Sequence, residues 1–468
     1  VEHVQRLAII AVLNLIVYYK TLFYGYVGDD VERSERKQEF KNAWHRRWLQ
    51  FMGLKHINSM VSHFLTIITH TVCCCAIYLA LGRNNISFLT AILFSINPIN
   101  IQGSVWISGR NYVTSSILTL GMFAFPTLSW VFYTATGHFA VNAWFAPLVF
   151  LGTKHWYMVF IIPVVWLLSQ HNKDTLKRKL WETGGLKTTN TEMRSMKPKK
   201  IIPFLKTHLY YFILCIIPFQ LGIEHNFLRG FGTNATDNKK GYKLDKYFYA
   251  GLTLFLGVSI SCIIGILRGH SPLTWGLLWF TVNIAMWCNY ITIQQQISER
   301  YVYLANIGLM YALASVIVAY PIAITIFITA YLVRLWYVMD MYMNDYWTVE
   351  YTLHEMKDMH YMWLMRGVKK WMAKDHQGAL YDFNEAYIHK PYDLKILYNL
   401  SVACFVLGDT VRAREYLDKA KQNVYDELEV SIKPAFDNLE NNIKNVEDSR
   451  ARGDKMINID LKDVMIVK

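Results

Sequence analysis

The chain has 468 residues, of which 53% are hydrophobic, 15% aromatic and only 18% charged, and its mean hydropathy is positive. This is too apolar for one water-soluble domain, and the apolar residues sit in runs, so the sequence reads as a multispanning membrane protein. A net charge of +13 does not require nucleic acid, because basic residues beside membrane spans set orientation with the cytoplasmic side positive. Cys73, Cys74, Cys75, Cys215, Cys262 and Cys288 lie in apolar segments and Cys404 in a helical repeat, so no disulfide or zinc spacing is present.

The first apolar segment, residues 4–24, shows no short cleavable signal and reads as a retained span ending in an aromatic belt. It delivers Val27-Gly28-Asp29-Asp30-Val31-Glu32 to the membrane surface. Three carboxylates there form a functional-site hypothesis. The same acids also suit the first turn of a helix, whose dipole is positive. Residues 33–56 mix Arg and Lys with Trp44, Trp48 and Phe51, as a helix lying in the interface does. Spans follow at residues 59–81 and 86–96.

Ser95 to Tyr112 reads SINPINIQGSVWISGRNY. Pro98, Gly103 and Gly109 interrupt any continuous helix, and irregular backbone at membrane depth is tolerated only where protein or a watery cavity surrounds it. Arg110 heads the next span, residues 112–133. Its guanidinium matches a phosphate, or it snorkels to head groups. Spans at 139–151 and 156–169 flank Lys154 and His155. Residues 171–206 hold ten Lys or Arg against three acids, the composition of a cytoplasmic loop.

Further spans at 207–222, 246–267, 274–292, 301–318 and 321–339 bring the total to about eleven. Counting from the basic loop puts the acidic stretch, the 95–112 segment, Lys154, His155, Gln294 to Arg300 and the C-terminal region on the opposite face. The seven basic residues against five acids in 29–57 cut against this count. Asn234-Ala235-Thr236 is a glycosylation sequon on the same outer face.

Beyond residue 340 the period becomes about 34 residues, that of a helix-turn-helix repeat. Trp363, Gly367, Ala379, Phe383, Ala386 and Pro391, then Leu397, Leu400, Ala413, Leu417 and Ala420, occupy tetratricopeptide positions. The expected domains are a polytopic unit over 1–340, repeats with a capping helix over 355–446, and a tail at 447–468.

GDDVE, NPINIQGSVWISGRN, ISERYVYLANIG and the C-terminal repeats, in that order, resemble the transmembrane-and-TPR protein O-mannosyltransferases of the glycosyltransferase C superfamily. The resemblance implies an all-α polytopic fold followed by a short α-solenoid. It also implies a sugar donor on a polyprenyl phosphate, typically dolichyl phosphate mannose, and transfer to Ser or Thr hydroxyls of an acceptor protein. The site and repeats would then face the endoplasmic reticulum lumen, or the extracytoplasmic side in a prokaryote.

The family's acidic pair maps on Asp29 and Asp30, one being the general base, with Asp29 favoured because it follows Gly28. Arg110, Arg300, Tyr301 and Lys154 map on donor-phosphate positions, with Glu32, Asn97, Gln102, His155 and Glu299 supporting them. This sequence departs where the family has histidine (Asn97), an acid (Gln102) and a Lys-Glu pair (Lys154-His155). No metal site is assigned, although a divalent ion could sit on the aspartates. The competing reading is a catalytically silent scaffold whose repeats bind a protein partner. A transporter fits less well, because the charged groups gather on one face rather than near the midplane.

Overall fold

A long apolar run in a bilayer must close its backbone hydrogen bonds internally, because the hydrocarbon offers none. Every regular element among the described residues of the computed structural model (1–28, 30, 58–136, 145–168, 201–222, 244–288, 297–424 and 433–452) is accordingly helical. These residues form two units that divide between Tyr351 and Thr352. Asp29, Glu32, the amphipathic stretch 33–56, most of the basic loop and the sequon lie outside the described residues.

In the first unit, α1 (Glu2–Tyr18) continues into a 3-10 turn, Tyr19–Phe23. α2 (Ser59–Ala80) starts at Asn58, whose side chain accepts from the Met60 N–H. α3 (Asn85–Ile96) starts at a capping box of Asn84 and Ser87. The short α4 (Ile101–Ser104) precedes α5 (Arg110–Ala124) and α6 (Ser129–Thr136). α7 (Met158–Leu168), α8 (Ile201–Ile216), α9 (Lys246–Arg268) and α10 (Pro272–Ile284) follow. α11 (Tyr303–Ile317) and α12 (Pro321–Met339) close the series, and α13 (Asp345–Glu355) runs across the division.

Five described stretches are long and apolar enough to cross a membrane: Glu2–Phe23, Ser59–Ala80, Lys246–Arg268, Glu299–Ile317 and Pro321–Tyr342. The pair α3 and Pro98–Ser104, bent by 59°, makes a sixth if counted as one span. Among the described residues the expected total of about eleven is not confirmed, since the other described helices of this unit are shorter than a span. The stretch read as one span over 112–133 is two helices, since Pro126 follows the end of α5 and starts a separate turn. The loop expected to reach residue 206 ends by Ile201, where α8 begins. Lys206 is a buried helix residue paired to Asp245 at 2.7 Å.

The break after α3 positions the site. Pro98 has no N–H to give Phe94 O, and the Ile99 N–H goes to Asn97 Oδ1 instead of Ser95 O. Side chains replace both donors. Asn100 Nδ2 reaches Phe94 O at 2.7 Å, while the Tyr18 hydroxyl (2.7 Å) and His70 Nε2 (3.2 Å) reach Ser95 O. A carbonyl only accepts, so His70 carries its proton on Nε2 and takes the Tyr303 hydroxyl on Nδ1 at 2.6 Å. Freed from α3, the chain folds back through α4 so tightly that a Cβ at Gly109 would sit 1.7 Å from Gln102 O.

The second unit contains α14 (His360–Met372), α15 (His376–His389), α16 (Leu394–Val406), α17 (Thr410–Val424) and α18 (Lys433–Arg452). From His360 to Leu394, and from His376 to Thr410, the helix starts repeat at 34 residues. Ala379, Phe383, Ala386, Leu397, Leu400, Ala413, Leu417 and Ala420 are all fully buried. Gly367 lets α14 close on the Phe383 ring, where a Cβ would come within 2.5 Å. The buried Asp382 is held by Arg366 and Lys370, each at 2.9 Å.

Gly109→Ala should cost about 3 kcal/mol or more, because the overlap is with backbone. Gly257→Ala on α9, where a Cβ meets nothing within 4 Å, should leave the thermal midpoint of the purified protein equal or higher. In the second unit, burial and the nearby Lys390 push His360 down from its ordinary 6.5 to about 4, although Asp393 pulls the other way. The unfolded chain therefore takes up this proton first. The associated stability is complete above pH 6.5 and is lost as pH falls toward 4. Urea midpoints of the full chain measured across that window should fall less steeply for His360→Gln than for the native sequence.

Candidate active site

The C-terminal end of α1, the N-terminal ends of α2, α5 and α11, and the C-terminal ends of α3 and α12 meet at one end of the first unit. After α1, the Gly25 N–H donates to Met343 O at 2.9 Å and the Gly28 N–H to Asp345 Oδ1 at 2.8 Å. Gly28 has φ +57, a left-handed turn that suits glycine. The turn closes with the Asp30 N–H donating to Val27 O and leaves Asp30 only 6% exposed. The Ser108 hydroxyl donates to Asp30 Oδ1. Of the acids expected here, Asp30 is the one described.

Arg110 does not snorkel: it is 1% exposed. Its Nε donates to Thr66 Oγ1 and its Nη2 to Ser62 O, both at 3.1 Å, which pins the start of α5 to the first turns of α2. Nη1 is buried without a hydrogen-bond partner among the described residues. Asp30 is close enough to act electrostatically on this guanidinium. An uncompensated N–H of a buried cation is costly, and an anion or ordered water would satisfy it. His63, one turn before Thr66, bonds Gly25 O through Nε2 at 3.1 Å, and its ring also lies beside the Val105 backbone.

Arg300 stands beside the same fold-back. Its guanidinium lies 5.3 Å from the ring centres of both Trp106 and Tyr301. Tyr301 stacks on Trp287 at 3.9 Å with an 8° interplanar angle, and Trp106 Nε1 donates to Val27 O at 3.3 Å. Glu299, also buried, accepts the Gly222 N–H on Oε1 at 2.6 Å. Asn97 and Gln102 are fully buried and engage backbone. Asn97 Nδ2 donates to Cys215 O at 2.8 Å, and Gln102 Nε2 to Gly222 O at 3.0 Å. The fold-back thus gathers Asp30, Arg110, Arg300, Tyr301, Glu299 and Gln102 into one region, whereas the Asn97 side chain lies deeper, at Cys215 O and Met310 Sδ.

Lys154 and His155 are not part of it. Phe150 stacks on Phe123 at 4.5 Å, and Phe123 packs edge-on to Trp275. Phe123 lies thirteen residues beyond Arg110 in α5, about 20 Å along the helix axis. The next residues follow the same end: Leu151 O meets His270 Nε2 at 2.8 Å, before the start of α10. Lys154 is exposed there, and His155 Nδ1 lies 3.2 Å from the Tyr157 hydroxyl. This pair lies toward the other end of α5 because Phe150 packs on Phe123 and Leu151 meets His270 just before α10.

Sequence reasoning passed over His63, Ser108, Trp106, Thr66 and Ser62. None carries a motif of its own, although Trp106 and Ser108 lie within the segment it singled out. Among the described residues, no group of three or more His, Cys, Asp or Glu side chains is placed to hold a metal ion. What remains is a buried carboxylate with a positioned oxygen, one guanidinium with an unfilled N–H, and a second guanidinium on an aromatic shelf. No protein-family model matches the chain, and neither a curated protein nor a solved structure is significantly similar to it.

Proposed function

We propose that the chain is a membrane glycosyltransferase that takes a sugar, mannose in the leading case, from a polyprenyl phosphate and passes it to a Ser or Thr hydroxyl of an acceptor protein. One observation carries the proposal: the fold-back of residues 97–109 seats the Ser108 hydroxyl on the buried Asp30 and, two residues on, buries Arg110 with an Nη1 that has no hydrogen-bond partner among the described residues. In the reaction, the acceptor oxygen attacks the sugar carbon while its proton passes to the carboxylate. The carbon–oxygen bond to phosphate breaks, and polyprenyl phosphate leaves with the bonding electrons. Arg110 and Arg300 offset the developing charge, and Asp30 is the described candidate for the base.

The same reading includes a glycosyltransferase C arrangement of about eleven crossings, the short helices completing the bundle, and a tetratricopeptide solenoid in the second unit that presents the acceptor. It places the site on the lumenal side of the endoplasmic reticulum, or the extracytoplasmic side in a prokaryote. A second reading, a silent scaffold whose repeats bind a protein partner, draws on one observation. Asn97 and Gln102, which replace the family's histidine and acid, are both engaged with backbone groups.

Purified protein in nanodiscs with dolichyl phosphate mannose should release dolichyl phosphate. Asp30→Asn, which keeps the shape and removes the basicity, should lower turnover by about 10²-fold or more while donor KM stays near its native value. Arg300→Ala should act mainly on donor KM. Absence of turnover in the native protein, together with saturable capture of a peptide by its second unit in the full chain, would favour the scaffold.

A further inference from the structure

Gln102 stands where the resembled family has an acid, and its surroundings are those of an amide. Its Nε2 donates to Gly222 O at 3.0 Å. Its Oε1 accepts the Ser298 hydroxyl at 2.9 Å and the Arg300 backbone N–H at 3.0 Å. The N–H of the same Gly222 donates to Glu299 Oε1 at 2.6 Å. Three separate stretches of chain, the fold-back, the segment after α8 and the segment before α11, are thereby tied through one fully buried side chain.

The tie extends to the guanidinium. Gln102 fixes the Arg300 backbone, and Trp106, four residues further along the same fold-back, supplies one of the two rings over which the Arg300 guanidinium lies. Ser298 is held independently, since its N–H donates to the Tyr211 hydroxyl at 3.0 Å and that hydroxyl donates to its carbonyl at 3.2 Å. The 298–300 segment therefore has two anchors, and Gln102 is the one that reaches Arg300.

We infer that Gln102 is a positioning residue for Arg300, and that its amide holds the clip at any pH, where an acid would hold it only while protonated. Ionised, a carboxylate at this place has acceptors only. It would then turn an oxygen lone pair toward Gly222 O, and it would add a second negative charge beside Glu299, which is bound to the same glycine. Both effects oppose the clip in a buried setting, where unmatched polar groups are most costly. Gln102 on this view is the working element of a rewired site, not the remnant of a lost acid. The functional half of the inference rests on the donor reading above; the structural half does not.

The test uses the full chain in nanodiscs and four variants: Gln102→Glu, Gln102→Ala, Arg300→Ala and the double variant Gln102→Ala with Arg300→Ala. Hydrogen exchange resolved at the Arg300 and Gly222 amides reads the clip directly and needs no activity. Gln102→Ala should speed exchange at Arg300 by about tenfold or more, and Gln102→Glu should do so once its carboxyl is ionised. Turnover of dolichyl phosphate mannose reads the consequence. Gln102→Ala should raise donor KM by about tenfold with kcat within about twofold, and it should add nothing further in an Arg300→Ala background.

Unchanged exchange at Arg300 in both position-102 variants would overturn the inference. So would a Gln102→Glu protein whose donor KM stays native with the carboxyl ionised at alkaline pH, or a full additional loss from Gln102→Ala when Arg300 is already absent. If the native protein turns over no donor, the glycosyltransferase reading fails, and the exchange rates alone then decide whether Gln102 sets Arg300.

Discussion

The first unit depends on how the last carbonyls of α3 are satisfied. A helix that stops inside an apolar bundle leaves acceptors that neither water nor lipid can serve, and each would cost several kcal/mol. Tyr18 from α1, His70 from α2 and Asn100 from the fold-back itself supply the missing donors. Because those donors come from three directions, the break is also a junction. The backbone released there runs through α4 to Arg110 and brings with it Gln102, Trp106 and Ser108, each of which bonds or packs on a different part of the site.

The polar groups around this junction form two kinds of interaction. Asn97, Gln102, Glu299 and Tyr211 bind backbone atoms and act as internal caps for segments that leave regular helix. Asp30 and Arg300 carry charge, and Arg110 has an Nη1 without a hydrogen-bond partner among the described residues. The first set makes the region rigid and the second gives it chemistry. A preorganised arrangement of this kind stabilises developing charge without reorganising as the reaction proceeds.

The sequence made the segment from Ser95 to Tyr112 legible as a break in helix, because Pro98, Gly103 and Gly109 have backbone consequences that do not depend on context. It made the second unit's buried positions legible through their period, and Ala379, Phe383, Leu397 and Leu400 lie in the core as that period requires. It grouped Lys154 and His155 with the site, because a count of spans assigns faces to loops and cannot see a chain that packs toward the other end of α5. It read Gln102 as a missing carboxylate, since a motif comparison registers residue type but not the Gly222 carbonyl that demands a donor. His63 was passed over as well. A histidine within an apolar helix gives no spacing signal, and only the tertiary contact with Gly25 O gives it meaning.

The central claim is that one buried site at one end of the first unit receives a lipid-borne phosphate. The most direct measurement is an electron cryo-microscopy structure of the full chain in lipid nanodiscs with dolichyl phosphate. The account predicts phosphate density in contact with the Arg300 guanidinium and Arg110 Nη1, beside Asp30, with the polyprenyl chain leaving toward lipid. Density at the Lys154 and His155 end, or Arg110 and Arg300 facing separate surfaces with no phosphate between them, would contradict it.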